Sequence, residues 1–71
     1  MKKEIDPYLK EIGKKIQAYR KAKKITIRDL GELCKLDYST LSRIEGGQYA
    51  STITTLKNVA DKLGVDVKDL L

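Results

Sequence analysis

Residues 25–47 read ITIRDLGELCKLDYSTLSRIEGG, and two helix starts follow one another within them. In the first, Thr26 stands at an N-cap position, where its hydroxyl can accept a hydrogen bond from an orphan backbone N–H. Asp29, three residues on, is the acid that completes a capping box. Ile25 before the cap and Leu30 after it are placed to close a hydrophobic staple. The second start repeats the pattern, with Asp37 as cap and Leu36 and Leu41 as staple, while Thr40 takes the place of the acid. One helix is therefore expected over about residues 27–34 and another over about residues 38–45.

The few residues between these helices leave no length for an antiparallel return, so the two must cross steeply. Residues 26–46 thus form a helix-turn-helix unit. Toward the N-terminus, Asp6 followed by Pro7 is a further helix start, because proline at the first helical position gives up an N–H that has no partner anyway. Leu9, Ile12, Ile16 and Tyr19 then recur at three- and four-residue spacing, which predicts an amphipathic helix ending near Lys23. Gly13 and Arg20 are the two residues that this apolar stripe does not explain.

Toward the C-terminus, Gly46 and Gly47 end the second short helix by allowing a left-handed cap. Thr52 can cap a fourth helix with Ile53, Leu56, Val59, Ala60 and Leu63 as its buried stripe, closed by Gly64. Val65 and Leu70 as staple, with Asp66 and Asp69 as capping box, start a short fifth helix. The expected architecture is an all-α, compact five-helix bundle forming one domain over residues 1–71.

A chain of 71 residues has room for a small core only. Without metal or disulfide such a fold relies on well-idealised helix packing, to which dimerisation often adds. The single cysteine excludes an internal disulfide and points to a reducing compartment. Cys34 falls on the apolar side of its helix, where a small buried hydrophobe outweighs a reactive thiol. No apolar run approaches the ~20 residues that span a bilayer, and the lysine-rich start has no apolar stretch or cleavage pattern behind it. These features predict a soluble, cytoplasmic protein.

The formal net charge is +5, and residues 1–24 alone carry nine basic residues against three acids. That concentrates the positive charge in the first third and favours a polyanionic partner, nucleic acid ahead of anionic membrane, with a solvated helix face as the competing account. The chain has no histidine, no glycine-rich loop between a strand and a helix, and no carboxylate or thiol cluster at metal-ligand spacing. Neither an enzyme nor a cofactor, metal or small-molecule ligand is expected.

From Ile12 onward the chain resembles the Cro and phage-repressor type helix-turn-helix family, often called the XRE family. The resemblance rests on three pieces in this order and spacing: IGKKIQAYRKAKKIT, TIRDLGELCKLDYSTLSRIEGG and TLKNVADKLGVDVKDLL. It implies a lambda-repressor-like five-helix fold that binds double-stranded DNA with its third helix in the major groove, as a repressor or controller of transcription. If Leu41 and Ile44 face the core, Tyr38, Ser39, Ser42 and Arg43 face outward, and those are the family's usual base-reading positions. Arg43 suits a bidentate contact to guanine, the two serines can donate or accept, and Tyr38 can stack on a thymine methyl or reach a phosphate.

Phosphate contacts are expected at the N-terminus of the helix that starts at Thr26, with its free N–H groups and positive dipole end, surrounded by Lys23, Lys24 and Arg28. A second phosphate can be held by the Gly46 and Gly47 backbone and the Gln48 and Tyr49 side chains. The resemblance also implies that Arg20 pairs with Glu45 as a buried structural clamp. The sequence departs from the family at three places. Ile27 stands where many relatives carry a glutamine that touches phosphate and braces the recognition helix. Lys35 stands in the turn where glycine is usual, and residues 48–51 lack a basic residue and the usual proline. The basic first helix can offset that weaker grip.

Relatives of this form bind near-palindromic sites as homodimers. Val67, Leu70 and Leu71 are the candidate dimer contact, unless they only cover the domain's own core. The competing function is a protein-binding module, such as an antitoxin, on the same fold. An apolar patch on the third helix would mark that use, and the residues there are Tyr, Ser, Ser and Arg instead.

Overall fold

Pro7 occupies the first position of α1 (Pro7–Ala22), and the computed structural model describes residues 7–71, so the expected Asp6 cap lies outside the described residues. The stripe of α1 turns inward as its spacing requires: Ile16 is fully buried, and Ile12 and Tyr19 pack partly buried against the core. The helix closes one residue before Lys23, and Lys24 takes a left-handed conformation (φ 60°) that redirects the chain.

The capping box of α2 (Ile27–Cys34) forms as its residues suggest: the Asp29 N–H donates to Thr26 Oγ1 at 3.0 Å and the Thr26 N–H donates to Asp29 Oδ2 at 3.1 Å. Lys35 ends this helix in the left-handed region, with φ 60° and ψ 42°. The turn is therefore the ordinary left-handed cap, accommodated by a lysine at a cost of about 1–2 kcal/mol. Leu36 then donates its N–H to the Gly31 carbonyl at 2.8 Å, and α3 (Tyr38–Glu45) begins two residues later. Asp37 has the backbone of an N-cap but makes no side-chain cap bond, which corrects the expected second cap. With Thr40 three residues on there is no acid to close the box from the other side, so only the backbone and the Leu36–Leu41 pair define this start.

Thr52 caps α4 (Ile53–Leu63), accepting from the Thr55 N–H at 3.1 Å, and Gly64 closes it with φ 76°. Leu56, Val59, Ala60 and Leu63 are buried, but Ile53 is 59% exposed. It sits in the first turn of α4, at the exposed end of the stripe.

The start signal at Asp66 and Asp69 forms its capping box, yet the expected fifth α-helix is a single 3-10 turn over Val67–Asp69. Its bonds run from residue i+3 to i, with the Leu70 N–H donating to the Val67 carbonyl at 3.0 Å. This tighter winding swings Leu70 into the core, where it has no exposed surface, so it cannot serve as a dimer contact. The fold is all-α, with four α-helices and one 3-10 turn among the described residues.

Ile16, Leu30, Leu41, Val59 and Leu70 are the largest fully buried side chains, and they join every element to one core. Each stabilises the fold by about 1.5–3 kcal/mol relative to exposure. Helix α3 lies across α1 at very short range because of Gly13: a Cβ there would collide with the Ile44 and Glu45 carbonyl oxygens.

Candidate nucleic-acid interface

Helix α3 buries Leu41 and Ile44 and leaves Tyr38, Ser39 and Arg43 exposed, as helical periodicity requires. Ser42 is different. It is half-buried and, one turn on from Tyr38 and Ser39, lines a cleft between α1 and α3 with Lys10, Lys14, Gln17 and Gly46.

Next to the start of α3 lies the N-terminus of α2. A helix leaves its first N–H groups without intrahelical partners. The capping box takes those of Thr26 and Asp29, so those of Ile27 and Arg28 remain open for an anion. An open cleft there is lined by Lys21, Lys24, Thr26, Arg28 and Tyr38, and the Arg28 guanidinium lies 5.7 Å from the centre of the Tyr38 ring. That cation–π contact joins the anion-ready end of α2 to the first residue of α3. Asp29 is the opposing influence. The Thr26 backbone N–H, and then its hydroxyl, hold the Asp29 carboxyl below its ordinary pKa of 3.8, so this acid stays ionised beside the site.

Two expected phosphate groups are corrected by the structure. Lys23 does not line the α2 cleft; its side-chain end runs to Gly64 at the C-terminus of α4, where the helix dipole favours a cation. Lys21, which the sequence reading passed over, lines the cleft instead. The backbone N–H groups of Gly46, Gly47 and Gln48 donate to Ser42, Ile44 and Arg43 carbonyls at 2.9, 3.1 and 2.9 Å. They close α3 and are not open to a phosphate. At that end the Gln48 and Tyr49 side chains remain exposed.

Arg20 and Glu45 meet under the surface. Arg20 Nε donates to Glu45 Oε2 at 2.7 Å, Nη2 donates to Oε1 at 3.1 Å, and Nη1 donates to the Ile25 carbonyl at 2.9 Å. The clamp thus fixes the C-terminal end of α3 to α1 and to the entry of α2 together. A second tie was not visible in the sequence: Asn58 Nδ2 of α4 donates to the Cys34 carbonyl at 2.9 Å, fastening the end of α2. Burial pushes the Cys34 thiol above its ordinary pKa, against a smaller pull from Lys62, so it stays protonated and unreactive near neutrality.

Among the described residues no group of three or more His, Cys, Asp or Glu is placed to hold a metal ion, and no helix is long and apolar enough to cross a membrane.

The arrangement has close counterparts. The immunity repressor protein of Bacillus phage phi105 is 37% identical over 60 residues, covering 84% of this chain and 42% of the phage protein. The chain therefore spans less than half the length of that relative. The structure of the restriction-modification controller protein C.AhdI from Aeromonas hydrophila is similar with a TM-score of 0.85 at 25% identity, covering 89% of this chain and 96% of that one. The clp gene regulator ClgR from C. glutamicum gives a TM-score of 0.88 at 26% identity, covering 97% and 88%. The helix-turn-helix family HTH_3 matches residues 16–70, a span that holds α2, the turn, α3 and α4. By its motif, its clamped third helix and this match over residues 16–70, the chain belongs to the helix-turn-helix family HTH_3.

Proposed function

We propose that the chain is a sequence-specific double-stranded DNA-binding transcriptional regulator, a repressor or controller protein acting as a homodimer on a near-palindromic operator. One observation carries the reading. Tyr38, the first residue of α3, shares one cleft with Ile27 and Arg28 at the start of α2 and with Lys21 and Lys24, and Ser39 and Arg43 stand exposed farther along the same helix. A phosphate held at α2 places the start of α3 in the major groove, where its side chains reach base edges. Arg43 then reads a guanine, Ser39 a neighbouring base edge, and Tyr38, braced by Arg28, a thymine methyl or phosphate.

The homodimer is supported by an apolar groove on the side of the domain built by α4 and the 3-10 turn, where Ile53, Val65 and Val67 are framed by Lys57, Asp61 and Asp66. Mixed charge around an apolar centre suits a two-fold contact, in which Lys57 of one copy faces the acids of the other. Leu71, also exposed, extends the contact. Two recognition helices so joined address half-sites about one helical turn (~10 bp) apart.

The test is selection of binding sites from random duplex DNA, followed by fluorescence anisotropy on the winning sequence. An inverted repeat is expected, and Arg43→Ala should weaken binding by about 1–3 kcal/mol and relax a single base position in each half-site. Enrichment of no sequence, with binding that is merely salt-sensitive, would remove the base-reading role of α3.

A further inference from the structure

The cleft between α1 and α3 is not accounted for by the base-reading face or by the α2 anion site. Lys10, Lys14 and Gln17 approach it from α1, and Ser42 and Gly46 from α3, with Ile27 at its edge. We infer that it is a second DNA-phosphate clamp, in which Lys10 and Lys14 supply the charge and Gln17 and Ser42 the hydrogen bonds. Ser42 then positions the backbone and does not read a base. This deepens the proposed DNA-binding function and rests on it.

Placement is the first support. Residues 10, 14 and 17 share one face of a helix, being four and three apart. That face is pressed against the end of α3 by two glycines. Gly13 brings the α1 backbone against the Glu45 carbonyl, and Gly47, in a left-handed conformation with φ 74°, brings the chain after α3 against Lys10, where a Cβ would lie 2.6 Å from the Lys10 Cα. The two lysines are thereby carried on backbone that cannot drift relative to the recognition helix.

Charge is the second. Neither Lys10 nor Lys14 is ion-paired with a described residue, and the acid that lines the cleft, Glu45, is already engaged through both carboxylate oxygens by Arg20. The cleft therefore presents two lysine side chains that no described residue pairs. Its volume of about 320 Å³ admits a phosphate group with several waters, each needing ~30 Å³.

Need is the third. The Gly46, Gly47 and Gln48 N–H groups are spent on α3 carbonyls, and residues 48–51 carry no basic side chain. The backbone grip beyond α3 has to come from another element, and α1 is the one packed there.

The experiment is anisotropy on the selected operator across a salt series, comparing the wild type with Lys10→Gln/Lys14→Gln, with Ser42→Ala, and with Lys62→Gln/Lys68→Gln as an equal charge loss outside the cleft. Circular dichroism melts establish that each variant is folded. The α1 double variant should make the slope of log K against log salt shallower by about 1–2 and weaken binding to all sequences alike, as loss of one or two phosphate contacts does. Ser42→Ala should weaken binding while the selected sequence stays the same. A slope equal to that of the control variant, or a base position relaxed by Ser42→Ala, overturns the clamp and leaves the regulator reading standing. A wild type that binds no duplex DNA overturns both.

Discussion

Gly13 has no side chain, and the seating of α1 on α3 depends on that. The Cβ of an alanine there would have to push back main-chain carbonyls, which cannot rotate away as a side chain could. Gly13→Ala should lower stability by about 1–3 kcal/mol in urea unfolding despite alanine's better helix propensity; a stabilised variant would show the two helices are free to separate. Arg20 is the other residue that the apolar stripe of α1 left over, and the two have one explanation, since Gly13 lets α3 approach and Arg20 locks its last residue. Arg20→Ala leaves the Glu45 carboxylate buried and unpaired and should cost about 3–5 kcal/mol. Loss of DNA binding in that variant is then a folding effect, to be checked by comparing its melt with that of Arg43→Ala, which should remain near wild type. The sequence marked Gly13 and Arg20 as exceptions, but only the resemblance paired Arg20 with Glu45, because the contact joins residues 25 apart.

Among the elements, α2 is held by its ends. Its N-terminal box uses Thr26 and Asp29 reciprocally, so Thr26→Ala should cost about 0.5–2 kcal/mol and weaken DNA binding further by unfixing the anion-ready turn. Asp29 makes the same cap pH-dependent. Its carboxyl is held below 3.8 in the folded protein, chiefly by the Thr26 N–H, so the folded state binds its proton less readily than the unfolded chain does. The cap's contribution is therefore complete above the unfolded value and is lost as the pH falls from about 4 through the lower folded one. Thermal melts from pH 5 to pH 2 should show a decline that is reduced in Asp29→Asn; an unchanged decline would place the acid sensitivity elsewhere. Local chemistry made this start legible, since every partner lies within three residues. The same chemistry misled at Asp37 and at Val67–Asp69, where a cap signal specifies where a helix begins and says nothing of whether its side chain bonds or how long the helix runs.

At the scale of the molecule, the groove around Ile53, Val65 and Val67 is the surface proposed to join two copies. Ile53→Glu puts a charge at the centre of that groove while placing an acid in the first turn of α4, where the dipole favours it. The variant should be monomeric by sedimentation equilibrium, melt as a folded domain, and bind the operator more weakly than the wild type. A wild type that stays monomeric at high concentration, with and without DNA, would sink the dimer. The sequence pointed to Val67, Leu70 and Leu71 for this contact and to the core for Ile53, whereas in the fold Leu70 is fully buried and Ile53 is exposed. Both are apolar residues at helix spacing, and only the packing of α4 and the 3-10 turn distinguishes which one is covered.

The sequence by itself determined where α2, α3 and α4 start, that the chain is all-α, which face of α3 turns outward at Tyr38, Ser39 and Arg43, and that a cation-rich first helix accompanies a helix-turn-helix. All of these follow from spacing and capping, which act over one to four residues and so can be read along the chain. The tertiary structure decided what stands opposite what. It turned Lys23 toward Gly64, brought Lys21 to the α2 cleft, spent the Gly46, Gly47 and Gln48 N–H groups on α3, and set Ser42 against Lys10, Lys14 and Gln17. Those outcomes depend on how closely two helices approach and at what angle, and that is settled by the shapes of residues far apart in the chain.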